Sequence, residues 1–187
     1  MKKSLFSLAF VALFSFGATH TVSAQATKTV MVGGAPMYPT KNIVENAVNS
    51  KDHTTLVAAV KAAGLVETLS SPGPFTVFAP TNEAFNKLPK GTVETLVKPE
   101  NKATLTKILT YHVVSGRMTA ADLMKAIKDG GGKATLKTVQ GGTLTAMMKG
   151  KGIELKDEKG GTSMVTIADV LQSNGVIHVV NTVLMPM

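Results

Sequence analysis

Tyr111 and His112 stand side by side near the middle of the chain. An imidazole changes its charge near neutral pH and binds metals, and a phenol beside it adds a second donor and acceptor. Beyond residue 24 the other histidines are His53 and His178, both distant in sequence. Zinc needs three or four converging ligands, and no two of these histidines have helical spacing. His178 lies in a run apolar on both faces, where a histidine bonded into the core is the plain expectation. Asp157 and Glu158 are adjacent carboxylates between Lys156 and Lys159, and they read as a solvated turn rather than an acid–base pair.

The motif searches are empty. There is no Gly-x-Ser-x-Gly elbow, no phosphate-cradling Gly-rich loop and no His-Glu-x-x-His. The absence of Cys excludes disulfides, thiolate metal sites and a cysteine nucleophile. We therefore expect no catalytic residue, no metal and no cofactor. The charge is +8, from 20 basic and 12 acidic residues, but Arg117 is the only arginine and Trp is absent. Nucleic-acid binding uses arginine forks or aromatic platforms, so no nucleic-acid partner is expected. Lys149, Lys151, Lys156 and Lys159 surround one hairpin and mix with Glu154, Asp157 and Glu158. Such a mixture reads as a soluble surface, with loose contact to a polysaccharide or anionic surface as the alternative.

The first 24 residues have the three parts of an export signal. Lys2 and Lys3 come first, Leu5 to Ala18 is apolar, and Val22-Ser23-Ala24 offers small residues for cleavage. The apolar run falls short of the roughly 20 residues a membrane span needs. Residues 1–24 are thus expected to leave as a signal peptide, with no stable membrane insertion afterwards. The mature chain is expected in the periplasm or outside the cell. About 160 residues then remain, which suits one domain. With 44% apolar and 17% charged residues the composition is globular.

Residues 25–37 contain Gly33-Gly34, Pro36 and Pro39 beyond them, and predict a mobile tail. Helical spacing follows, with Ile43, Val44, Ala47 and Val48, then Leu56, Val57, Val60 and Ala63 before a capping Gly64. Phe75 to Ala79 alternates as a strand ended by Pro80, and Thr81 caps a helix containing Ala84 and Phe85. Gly91–Leu96 and Ala103–Thr110 are helical, Tyr111–Val114 is β-rich, and Thr119 with Asp122 opens another helix. Strands are expected over 134–139, 143–148, 153–156, 163–168 and 176–184, separated by glycine turns. The last strand is apolar on both faces and so should be central. Helices before strands give an α+β class. The paired Met147-Met148 must place one side chain outward, as in a contact surface or lipophilic groove at a sheet edge.

Three segments carry a family likeness: Thr76 to Phe85, Ile108 to Val114, and Asn174 to Pro186. In this order and spacing they resemble the fasciclin domain, over residues 38–187 as one copy. The resemblance implies a fasciclin-like wedge of β-sheets with helices packed along one side, and a secreted, bacterial, non-enzymatic role in cell adhesion or extracellular matrix contact. The partner would be a protein or polysaccharide of the cell surface or matrix. By position, Leu109, Tyr111, His112 and Val113 match the family's Tyr-His interaction motif; the alternative is that Tyr111 and His112 are structural, with the Tyr111 hydroxyl at the surface. Asn82 and Glu83 offer a contact loop. Some secreted relatives bind carotenoids, so a carrier of a lipophilic small molecule is the other functional class. The last signature usually has Asp where this chain has Asn181.

Overall fold

The computed structural model describes residues 29–187. The expected signal peptide and cleavage point lie outside the described residues. From Val30 onward the expected mobile tail is instead a hairpin, β1 (Val30–Val32) and β2 (Ala35–Met37). Gly33 and Gly34 join the strands with φ of 57° and 74°, as a tight hairpin turn requires. Val32 and Met37 are buried against the core. Three-residue strands are too short for alternation to show, so the glycine pair reads as looseness when it is turn chemistry.

Three helices follow: α1 (Ile43–Ala47), α2 (Thr54–Ala63) and α3 (Val66–Ser70). Asn42 and Glu45 form a capping box on α1. Gly64 ends α2 at φ 73°, where a side chain would be strained. Strand β3 (Phe75–Pro80) retains Pro80 as its last residue, and Thr81 then caps α4 (Asn82–Asn86) by accepting from the Ala84 N–H. Next come α5 (Thr92–Leu96), α6 (Lys102–Tyr111) and β4 (Val113–Ser115). Tyr111 is therefore the last residue of a helix and not part of a β run. Thr119 and Asp122 form the capping box of α7 (Ala120–Asp129). Five strands finish the chain: β5 (Lys133–Lys137), β6 (Thr143–Lys149), β7 (Gly152–Lys156), β8 (Thr162–Gln172) and β9 (Gly175–Val180).

The fold is α+β. Its seven-stranded sheet has the order β4-β3-β9-β8-β7-β6-β5. The β3–β9 pair is parallel, and all other neighbours are antiparallel. Val114 of β4 bridges Thr138, just past β5, so the two sheet ends nearly meet. β8 runs longer than expected because irregular pairing with β9, including Asp169 at φ 58°, carries the strand past Ala168. Met148 is exposed, but β6 lies between β5 and β7, so it is not at a sheet edge.

The interior strands separate two cores. Val77, Ala79, Ile177 and Val179 meet the helices α1, α2 and α6 in one. Phe78 and Val180 join Tyr111, Leu123, Ile127 and the inner residues of β5–β7 in the other. All six residues of β9 are buried, which is why this strand is apolar on both faces.

Asn174, in the β8–β9 turn, ties distant pieces together. Its Oδ1 accepts from the Ile43 N–H at 3.0 Å, and its Nδ2 donates to the Leu69 and Ser71 carbonyls at 2.8 and 2.9 Å. Asn174→Ala strands three backbone groups. It should lower the unfolding free energy by about 3 kcal/mol, since each buried orphan costs roughly 1–3. A urea midpoint equal to that of the unsubstituted protein would remove this role.

Candidate functional site

Leu109, Tyr111, His112 and Val113 are all buried, with Tyr111 at 0% and His112 at 2% exposure. The last turn of α6 turns both polar side chains inward. The Tyr111 hydroxyl donates to the Thr143 carbonyl at 2.5 Å and accepts from the Glu158 N–H at 3.1 Å. Its hydroxyl is thus inside, between β6 and the β7–β8 turn, and not at the surface. Burial pushes the phenol pKa up to about 12.

His112 links α6 to the chain end. Nδ1 lies 2.8 Å from the Ile108 carbonyl, and Nε2 lies 3.0 Å from the Leu184 nitrogen. A carbonyl only accepts and an amide N–H only donates. The partners therefore assign the proton to Nδ1 and leave Nε2 as acceptor. The ring must be neutral to make both bonds. Burial lowers its pKa to about 4, against the weaker raising effects of the Ile108 carbonyl and Asp157. Tyr111 and His112 form an internal clasp, while Leu109 and Val113 pack in the helical core.

Asp157 and Glu158 complete that clasp, and Asp157 is no solvated residue: it is 7% exposed. Its carboxylate accepts from the Gly161 and Met185 N–H groups at 2.6 and 2.9 Å. Glu158 accepts from the Thr143 and Met187 N–H groups at 2.9 and 3.3 Å, and these bonds hold its carboxyl below the usual range. Asn181 Oδ1 accepts from the Met164 N–H at 2.9 Å, so the acceptor role open to a carboxylate there is kept by the amide.

In the expected contact loop, Asn82 is engaged. Its Oδ1 accepts from the Thr55 N–H at 3.0 Å and its Nδ2 donates to the Lys51 carbonyl at 2.8 Å. It caps α2 from another element, where the residue preceding α2 provides no side-chain cap. Glu83 is exposed beside it. In the lysine hairpin Lys149 pairs with Glu154, while Lys151, Lys156 and Lys159 are exposed.

The other two histidines among the described residues, His53 and His178, are buried as well. His178 is fully buried, with Nε2 2.8 Å from the Met118 carbonyl and its ring stacked 5.7 Å from Phe78. Burial lowers its pKa. His53 Nδ1 lies 2.9 Å from Ser50 Oγ, but its Nε2 has no hydrogen-bond partner. His53 lies in the wall of a cleft of about 50 Å³ between the β1–β2 hairpin, α1–α3 and the sheet. Among the described residues no three His, Asp or Glu side chains gather as a metal site.

The polar side chains of Tyr111, His112, Asp157 and Glu158 thus bind the chain's own turns and its last residues. The fasciclin domain model matches residues 51–186, and the chain belongs to that family. It is 44% identical over 193 residues to protein sll1483 of Synechocystis sp., covering 100% of this chain and 99% of the relative. It is 34% identical over 175 residues to immunogenic protein MPB70 of Mycobacterium bovis, covering 91% and 80%. With transforming growth factor-beta-induced protein ig-h3 of Sus scrofa it shares 40% identity over 131 residues, 70% of this chain but 17% of that protein. Among solved structures, the domain pair of the insect cell adhesion molecule Fasciclin I superimposes with a TM-score of 0.68 at 18% identity, covering 78% of this chain and 51% of the pair. That likeness concerns the fold.

Among the described residues no helix is long and apolar enough to cross a membrane.

Proposed function

We propose that this chain is an exported, non-enzymatic adhesion or interaction module that contacts a protein or polysaccharide of the cell surface or matrix. The observation that carries this reading is a family match spanning nearly all the described residues, supported by the fold shared with an insect cell adhesion molecule. The contact belongs to the outer surface, because Tyr111 and His112 are committed inside. Exposed Lys151, Lys156 and Lys159 on the β6–β8 side are the candidates for an anionic partner. The mature protein, immobilised, should retain a component of its host's envelope fraction at low salt. Reversing Lys151, Lys156 and Lys159 to Glu should cut that retention several-fold, since such contacts are electrostatic and screened. No retention of any envelope component would overturn the adhesion reading.

A second reading is a carrier of a lipophilic small molecule, a carotenoid being one candidate. The apolar cleft walled by His53 favours it. Visible absorption or excess mass in protein purified from its host would support this reading, and a clean mass would count against it.

A further inference from the structure

We propose that the cleft beneath the β1–β2 hairpin binds a slender lipophilic molecule bearing one hydrogen-bonding end group, with its apolar body between α1, α2 and the sheet and its polar end at His53 Nε2. This deepens, and rests on, the carrier reading. Val32, Met37, Ile43, Val60 and Ile177 line the cleft, and all five are buried. His53 and Lys61 are its only residues with polar side chains. Lys61 is exposed, so its methylenes face the rim and its ammonium stays in water. His53 is 3% exposed and sits at the other end of α2, about 12 Å away by the helical rise.

The unpartnered Nε2 sets the chemistry. Buried polar side-chain atoms are almost always bonded, and His53 Nε2 is the one buried side-chain nitrogen or oxygen among the described residues that has no partner. The Ala79 carbonyl lies near enough to favour the charged ring, though burial outweighs it, and it completes no hydrogen bond to Nε2. Water suits the place poorly. A buried water needs two to four polar partners, and among the lining side chains His53 alone offers one inside the cleft, Lys61 standing exposed at the rim. A molecule with a single hydroxyl, carbonyl or carboxyl end matches one polar atom in an apolar wall.

The cleft must widen to admit such a body. At about 50 Å³ it is smaller than the roughly 150 Å³ cavity that holds benzene in another protein. The β1–β2 hairpin is the wall that can yield. It forms its own two-stranded sheet, separate from the seven-stranded one, and such hairpins are marginal alone. Its ties to α1 and the following turn are few: the Gly33 carbonyl accepts from Lys51 N–H at 3.2 Å, and Asn46 brackets the Tyr38 backbone at 3.0 and 2.8 Å.

The test is a methyl NMR titration of the mature protein with octan-1-ol, and with octane as the probe lacking a polar end. Octanol should cause saturable shifts at the Val32, Ile43, Val60 and Ile177 methyls. His53→Phe should weaken octanol about tenfold and leave octane unchanged. Absence of saturable shifts, or undiminished octanol binding by His53→Phe, overturns the proposal. Val57 is half-buried on the cleft wall, so Val57→Trp should plug the cleft without touching His53, and keeps the test decisive if His53→Phe does not fold. Native mass spectrometry of host-purified protein separates the two ideas. A bound mass retained by Val57→Trp upholds a carrier but overturns this site, whereas no bound mass together with no octanol binding overturns both.

Discussion

Tyr111→Ala is expected to lower the unfolding free energy by about 4 kcal/mol or more, with the protein losing cooperative urea unfolding near room temperature if its total stability is ordinary. Removing a fully buried aromatic ring costs roughly 3–5 kcal/mol through lost transfer energy and the cavity left behind. The ring packs in the core formed with Leu144 and Leu155, and the Gly142 position leaves no slack: a Cβ there would stand 3.0 Å from Tyr111 Cε2. The loss of the hydroxyl adds to this, because the Thr143 carbonyl and the Glu158 N–H lose their shared partner. Single domains hold only about 5–15 kcal/mol in total. Tyr111→Phe isolates the hydroxyl and should cost about 1–2 kcal/mol. An unchanged midpoint for Tyr111→Phe would mean the clasp contributes nothing through hydrogen bonding. Retention of envelope components by Tyr111→Phe should match the unsubstituted protein, because the side chain has no face to offer a partner.

The Tyr-His segment shows what a sequence conceals. Residue type marks Tyr111 and His112 as chemically able, but their partners lie 32 and 72 positions away, at Thr143 and Leu184. No local pattern specifies those distances. The same holds for Asn82, which caps a helix beginning 28 residues earlier, and for Asn174, whose bonds reach back more than a hundred positions. What local rules control was readable: the Thr81 cap, the capping box at Thr119, the left-handed Gly64, and the alternation of Ile177 and Val179 against Val180. The β1–β2 hairpin fell between these cases, since its turn residues are local but its burial depends on α1 and the sheet. The cleft was not readable at all. It is a gap between elements, and His53 reads like any other isolated histidine until its Nε2 is found without a partner.

Acid should unfold this protein more steeply than its carboxylates alone would bring about. His53, His112 and His178 are all buried and all have lowered pKa values, with burial the first cause in each. Unfolded, each imidazole takes a proton near 6.5. Folded, His112 resists protonation until about pH 4 because its ring is buried, and a proton on Nε2 would also break the bond it accepts from the Leu184 N–H. Between those pH values the unfolded state binds more protons than the native state. The linkage sign then makes stability rise with pH. The contribution is fully present above pH 6.5 and lost as pH falls toward 4. For His112 the interval from 6.5 to about 4 corresponds to about 3 kcal/mol, at 1.36 per pH unit, and His53 and His178 add in the same direction. Urea unfolding at pH 7.0, 5.5 and 4.5 measures this directly. His112→Gln should be less stable than the unsubstituted protein at pH 7 but should show a shallower loss toward pH 4.5, since the side chain no longer titrates. Identical pH slopes for the two proteins would mean that His112 is not the group being protonated.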